Sequence, residues 1–302
     1  MTPRVAVPAP LLVLGGVVSV QFGGALAATL IPTLGAGGTV LMRLGFATVI
    51  LLVAARPRLR GYSRSAWVTV VAFGVALGLM NWSFYGALAH LPIGVAVTIE
   101  FIGPLTLAAV LSRRVVDLVA VLAAGAGVVL ISQTLSLPLA SLSWVGLGLA
   151  LTAGAFWAAY VVLSGRTGAA FPRLDGLAWA MVVASVVVLP AGVGSVPRWT
   201  GHELLFGFGI AVLSSVLPYS LELLALRSLS ARVFGILLSL EPAVAALAGL
   251  VVLHQRLTGL QLLGLALVVG ASAVVLGLGR SPGESAEAAE DAGTQPPLAE
   301  SV

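Results

Sequence analysis

Of the 302 residues, 59% are hydrophobic and 9% are charged, with a mean hydropathy of +1.12. Soluble domains carry about a quarter charged residues, so this composition excludes a soluble globular fold and indicates a polytopic membrane protein. The absence of Cys excludes disulfides and thiolate metal sites. The net charge of +4 comes from arginines in short connections, as expected beside membrane spans and not of a nucleic-acid surface.

A membrane-spanning helix needs about 20 apolar residues. On that ruler ten helices are predicted, over residues 10–30, 37–55, 66–89, 92–111, 115–132, 144–165, 174–195, 204–227, 231–253 and 258–279. The segment Leu11 to Val20 after Arg4 imitates a signal peptide, but the spans behind it indicate an uncleaved first helix. Residues 281–302 are rich in Ser, Pro, Ala and Glu without apolar period and are predicted to form a disordered cytoplasmic tail.

All fifteen basic residues are Arg. With the amino terminus inside, Arg4, Arg56, Arg58, Arg60, Arg64, Arg113, Arg114, Arg166, Arg173, Arg227, Arg232 and Arg280 are cytoplasmic and only Arg198 and Arg256 fall outside. The positive-inside rule then puts both termini in the cytoplasm. Arg43 lies within the second helix, about six residues from its predicted outer end, and is expected to snorkel to that surface as a structural residue. His90, His202 and His254 fall in different outer loops without metal-ligand spacing, so neither metal nor cofactor is expected.

The halves look related. Ala87-Leu88, Leu91 and Pro104 match Ala225-Leu226, Leu229 and Pro242 at a constant offset of 138 residues. Five spans per half is an odd number, so the second copy enters the membrane from the opposite side. The expected architecture is all-α, ten transmembrane helices in two inverted five-helix repeats, residues 1–138 and 139–280. Such a fold places its site at the midplane between the halves.

Three acids interrupt the apolar spans: Glu100, Glu222 and Glu241. An intramembrane carboxylate is costly and marks a functional-site hypothesis. At 1.5 Å rise per residue, Glu100 lies roughly 12 Å from the outer end of its helix and Glu241 roughly 13 Å from the inner end of its own, both near the middle. Pro104 lacks an N–H and frees the carbonyl of Glu100 beside Gly103; Pro242 frees that of Leu238. Backbone freed at this depth must face protein or a watery cavity. A packing kink with a protonated, hydrogen-bonded Glu is the structural alternative. Glu222 is shallower, five residues from Arg227, and either snorkels or joins the site.

Other polar groups form helical stripes: Ser215, Tyr219 and Glu222 around the kink-forming Pro218; Asn81 with Tyr85; Trp157 and Tyr160 with Ser164; and Gln21 beside Gly23-Gly24. Each stripe is explicable as interhelical hydrogen bonding, and together they suggest one substrate and proton cavity. Gly23-Gly24, Gly125 with Gly127, and Gly146 with Gly148 suit close helix packing. No nucleotide-binding, zinc-protease or nucleophile–base pattern supports an enzyme.

The chain resembles the drug/metabolite transporter superfamily, in its EamA-domain branch, and within it the threonine/homoserine exporters of bacterial inner membranes. The residues carrying the resemblance are Met80-Asn81-Trp82-Ser83-Phe84-Tyr85, Glu100-Phe101-Ile102-Gly103-Pro104-Leu105, Ser112-Arg113-Arg114 with Asp117, Trp157-Ala158-Ala159-Tyr160, Leu217-Pro218-Tyr219-Ser220-Leu221-Glu222, Phe234-Gly235, Leu240-Glu241-Pro242-Ala243, and Gln21 with Gly23 and Gly24. The resemblance implies export of small metabolites driven by the proton gradient, through a central cavity lined by helices one, three, four, six, eight and nine. Trp82 departs from the tyrosine those exporters tend to carry, and the acidic tail is not a family feature.

The reading is a proton-coupled exporter of small zwitterionic amino acids. Burial disfavours a charged carboxyl, so a midplane Glu suits proton carriage. The substrate ammonium would pair with Glu100 or Glu241, and its carboxylate with Gln21, Asn81, Tyr85 or Tyr219. Trp157 and Tyr160 would pack the side chain. The expected partners are a small-molecule substrate, protons and the lipid bilayer, without nucleic acid. Two alternatives stay open: another cargo, such as a lipophilic cation or drug, and a non-transporting interaction or signalling subunit.

Overall fold

A computed structural model describes residues 7–91, 93–132, 143–244 and 258–278. In chain order these form α1 (Ala9–Ala55), α2 (Arg64–Leu88), α3 (Ile93–Leu111), α4 (Val115–Ile131), α5 (Trp144–Ala170), α6 (Asp175–Gly192) with a 3-10 turn over Val193–Arg198, α7 (Gly201–Ala211), a π-helical turn over Val212–Val216, α8 (Leu217–Ala225), α9 (Ala231–Leu238) and α10 (Gly259–Leu278). The described residues contain no strand. The predicted stretch 245–253, the 138/139 boundary, the tail from Ser281, and Pro92, Arg4, His254, Arg256 and Arg280 lie outside the described residues.

Six helices are long and apolar enough to cross a membrane among the described residues: Thr29–Ala55, Arg64–Leu88, Trp144–Ala170, Asp175–Arg198, Gly201–Ala225 and Gly259–Leu276. Ala9–Gly24, Val95–Leu111 and Val115–Ile131 are shorter apolar helices. Their starts follow local chemistry. Ser63, Ser143 and Ser230 each accept a backbone N–H three residues on, and Thr200 with Glu203 forms a capping box.

The predicted loop over 31–36 is reduced to one residue. Gly35, at φ 73° and ψ 169°, interrupts α1 in a conformation open essentially to glycine alone. Leu26, nine residues before it, touches Gly209, while Met42, seven after, touches Gly207, so the chain folds back at Gly35 and both limbs lie against α7. Arg198 donates to the carbonyls of Thr33 (2.8 Å) and Leu34 (3.5 Å), supplying the donors that the end of the first limb lacks.

At the opposite end the loops carrying most arginines meet. Asp175 accepts from the Arg58 N–H (3.3 Å) and the Tyr62 hydroxyl (2.8 Å), and Tyr62 stacks on Phe171 at 4.3 Å. Partial burial, reinforced by Asp175, pushes the Tyr62 phenol above its ordinary value, so it remains a donor. Arg227 donates to the carbonyls of Gly168, Phe171 and Arg173. Arg232 pairs with Asp117, tying the start of α9 to that of α4.

Between the ends, helices meet where side chains are smallest, as expected where lipid removes the hydrophobic drive between helices. A Cβ on Gly127 would stand 2.7 Å from the Gly264 carbonyl, and one on Gly264 2.8 Å from that of Gly127, which seats α4 on α10. Gly37 and Gly192 do the same for α1 and α6. The paired glycines of the sequence split: Gly23, Gly127 and Gly146 are close contacts, Gly125 meets only the Leu105 side chain at 3.5 Å, and Gly24 and Gly148 face open space.

The tightest crossing is that of α3 and α5. A Cβ on Gly103 would collide with the Gly154 carbonyl, and one on Gly154 would lie 2.6 Å from the Glu100 carbonyl. Overpacking of this kind costs about 1–3 kcal/mol. Gly103→Ala should therefore lower the unfolding midpoint of the detergent-solubilised protein, while Gly148→Ala, into open space, should leave it unchanged or raised.

Candidate functional site

The three prolines of the predicted site each remove a backbone donor from a helix or stand beside a break in one. In α3, Pro104 leaves the Glu100 carbonyl without its usual donor, and Gly154 brings the α5 backbone against it. In the π-helical turn, Leu217 N–H bonds back to Val212, so the next donor in that register would be residue 218, which is Pro. The orphaned Leu213 carbonyl accepts instead from Ser19 Oγ on α1 at 2.7 Å. Ahead of Pro242, α9 ends at Leu238, the chain turns at Ser239, and helix resumes at Leu240. A helix broken beside an acid is the form that transporter binding sites take.

These irregularities surround a connected polar cluster. Arg43, in the second limb of α1, is 5% exposed and does not snorkel. Its Nη2 donates to Asn81 Oδ1, and its Nη1 reaches the Tyr85 hydroxyl at 3.4 Å. The guanidinium carbon lies 5.3 Å from the Tyr85 ring centroid. Asn81 Nδ2 donates to the Leu77 carbonyl (2.8 Å) and to the Tyr219 hydroxyl (3.1 Å). The Tyr219 ring stands 5.6 Å from that of Tyr160, whose hydroxyl donates to Glu222 Oε2 at 2.7 Å. The cluster thus joins α1, α2, α5 and α8.

Arg43 is the principal correction to the sequence reading. Counted from the turn at Gly35, it lies eight residues into its limb, or about 12 Å deep, comparable to Glu100. The signal was present: an arginine within the apolar run Val40–Leu44 is itself an intramembrane ionisable group.

Glu222 also turns inward. It is 6% exposed and bound to Tyr160, which removes the snorkelling alternative. Glu100 is 8% exposed and lies within electrostatic reach of Arg43. Glu241 is half-buried and in turn within reach of Glu222 and Glu100. Trp157 packs edge-on against Phe101 at 4.8 Å, next to Glu100 in sequence.

Of the predicted residues, Asn81, Tyr85, Tyr160, Tyr219 and Glu222 make up this cluster with Arg43, while Glu100, Glu241, Trp157, Gln21 and Ser215 make no hydrogen bond to it among the described residues. Ser215 is fully buried, and its hydroxyl has no hydrogen-bond partner among the described residues. It lies within the π-helical turn, one turn before Tyr219. Gln21 is half-buried, two residues or about 200° round α1 from Gly23, which meets the π-helical turn at Leu213 and Ser214. Trp82 is 47% exposed, so its departure from tyrosine lies on the outside of the bundle. A separate cleft of about 750 Å³ opens at the arginine-rich end, lined by Arg56, Arg58, Arg60, Tyr62, Arg173 and Asp175.

Residues 144–277 match the model of the EamA-like transporter family. The chain is 37% identical over 274 residues to the threonine/homoserine exporter RhtA of Salmonella typhimurium strain LT2, covering 90% of this chain and 92% of that one. The Escherichia coli K12 protein of the same name is 37% identical over 265 residues, with 86% and 88% covered. Protein PecM of Dickeya dadantii is 28% identical over 220 residues, covering 69% of this chain and 73% of that one. A crystal structure of a protein 20% identical superposes with a TM-score of 0.70 over 89% of this chain and 96% of that chain, a likeness of fold.

The Asn81–Tyr219 bond links α2 to α8 and is testable as a coupling. Hydrogen bonds between membrane helices are worth about 0.6 kcal/mol on average and at most about 1.7. A double-mutant cycle of Asn81→Ala and Tyr219→Phe, read by unfolding of the four proteins, should give a favourable coupling within that range. Additive single effects would show that the two groups do not interact.

Proposed function

Because the chain belongs to the EamA-like transporter family, we propose that it exports small zwitterionic amino acids of the threonine and homoserine kind, in exchange for protons, across the bacterial inner membrane. The name of the relatives supports the substrate class. The observation that carries the reading is the meeting of buried acids and one buried arginine where helices are broken or kinked. Glu100 is the proton carrier: protonated from the outer side it releases the substrate ammonium, and deprotonated towards the cytoplasm it accepts the next. Glu241, with Glu222 nearby, holds a second negative position. Trp157, Tyr160 and Tyr219 form the aromatic wall. A buried guanidinium counts against a lipophilic cation as cargo, since like charges repel in a low-dielectric interior.

The proposed frame is ten spans in two inverted repeats, 1–138 and 139–280. Asn81 and Tyr219 stand 138 residues apart, the offset of Pro104 and Pro242, and bond to each other as equivalent groups beside a pseudo-two-fold axis would. The packing of α2 on α5 is mirrored by that of the first limb of α1 on α7 and α8, and α4 pairs with α10 as fifth and tenth spans should. Both termini are proposed to be cytoplasmic, and the meeting of the arginine-bearing loops at one end supports that orientation. Reporter fusions after Ala55 and after Gly279 should both read inside, and truncation at Arg280 should leave insertion and efflux unchanged.

The decisive variant is Glu100→Gln. The amide keeps volume and hydrogen-bonding capacity but cannot change charge, so efflux against an imposed pH gradient should fall to background with normal membrane levels. Glu241→Gln should impair efflux to a smaller degree. Wild-type efflux from the Glu100→Gln protein would remove the proposed proton coupling.

A further inference from the structure

Arg43 holds a full positive charge in the bundle interior, 5% exposed, on a side chain that is always protonated. Its neighbours are neutral: the amide oxygen of Asn81, the hydroxyl of Tyr85 and the Tyr85 ring. Its Nε is buried without a hydrogen-bond partner. Among the described residues the ion pairs are Arg232 with Asp117 and His202 with Glu203, and Arg43 belongs to neither. Glu100, within electrostatic reach, does not close a salt bridge to it. A buried guanidinium left without an anion is strongly unfavourable; Arg232 has its acid, and Arg227, at the more exposed arginine-rich end, donates to three carbonyls.

We propose that Arg43 is the carboxylate-binding residue of the transport site, making the substrate class the free α-amino acid and excluding amides, lactones, amino alcohols and organic cations. The planar guanidinium matches a carboxylate in two parallel hydrogen bonds, which neutral donors cannot replace. With the carboxylate on Arg43 and the ammonium towards Glu100, both charges of a zwitterion meet opposite charge. The group displaced is the Asn81 amide oxygen, whose own N–H₂ ties α2 to α8 through Tyr219. Substrate carboxylate therefore acts on a side chain that bridges the two halves. This assignment rests on the export reading for its physiological cargo, though its binding test does not.

The test is the melting temperature of detergent-solubilised protein titrated with small amino acids, threonine and homoserine first, and with their amino-alcohol counterparts. In the wild type the amino acid should act at a concentration at least about tenfold lower than its alcohol, as a charge-assisted pair requires. In Arg43→Gln the two should fall within about twofold of each other. Equal potency in the wild type for every pair tried, or an undiminished preference in Arg43→Gln, overturns the proposal. If Arg43→Gln does not accumulate, Arg43→Lys decides. Its ammonium lacks the planar fork, so a preference reduced severalfold supports the proposal and an unchanged preference overturns it. An intact preference in a protein that fails to export threonine or homoserine removes the export reading and leaves the carboxylate site standing.

Discussion

In the middle of a bilayer no water is available to satisfy a backbone group, so every donor removed from a helix must be answered by protein. Pro104 and Pro218 each remove one. The Leu213 carbonyl is met by the Ser19 hydroxyl, and the Glu100 carbonyl above Pro104 is enclosed by the α5 backbone packed against it at Gly154. Both arrangements demand a close approach between helices, which glycine permits at Gly103 and Gly154 and again at Gly23 against Ser214. The prolines thus fix where α3 crosses α5 and where α1 crosses the turn before α8. Those crossings carry Glu100, Trp157, Tyr219 and Glu222 into one region.

The charges in that region differ in kind from those at the arginine-rich end. There, Asp117 and Asp175 are buried but fully engaged, one by Arg232 and the other by Tyr62 and the Arg58 backbone. Such contacts secure loops. In the interior, Arg43 is connected to Glu222 through the Asn81 amide and the two tyrosines, and no salt bridge joins Arg43 to an acid among the described residues. A buried guanidinium and ionisable acids held without pairing are a poor device for stability in a low-dielectric medium. They suit a site that must accept and surrender a charged guest.

Tyr160 and Tyr219 have a double role in this arrangement. Their rings fill the interior beside Phe73, while their hydroxyls carry the hydrogen bonding from Asn81 and towards Glu222. An amphipathic aromatic side chain accomplishes both with few rotatable bonds.

Much of this was legible in one dimension. Apolar length against bilayer thickness marked the helices, and prolines with neighbouring acids marked Glu100 and Glu241 as special, because both rules depend on local composition alone. Helical spacing placed Asn81 with Tyr85, and both meet Arg43. The misplaced depth of Arg43 and register of Ser215 share one cause. Depth and facing were counted along regular helices, and the tertiary structure departs from regularity at two places. The turn at Gly35 lengthens the limb carrying Arg43 and puts its charge inside, and the π-helical turn at Val212–Val216 interrupts the regular register that spaced Ser215 from Tyr219 and Glu222. Composition and periodicity determine which segments enter the membrane and which residues are costly there. Which of those residues meet is decided by packing, because a single left-handed glycine or one extra residue in a turn redirects every side chain beyond it.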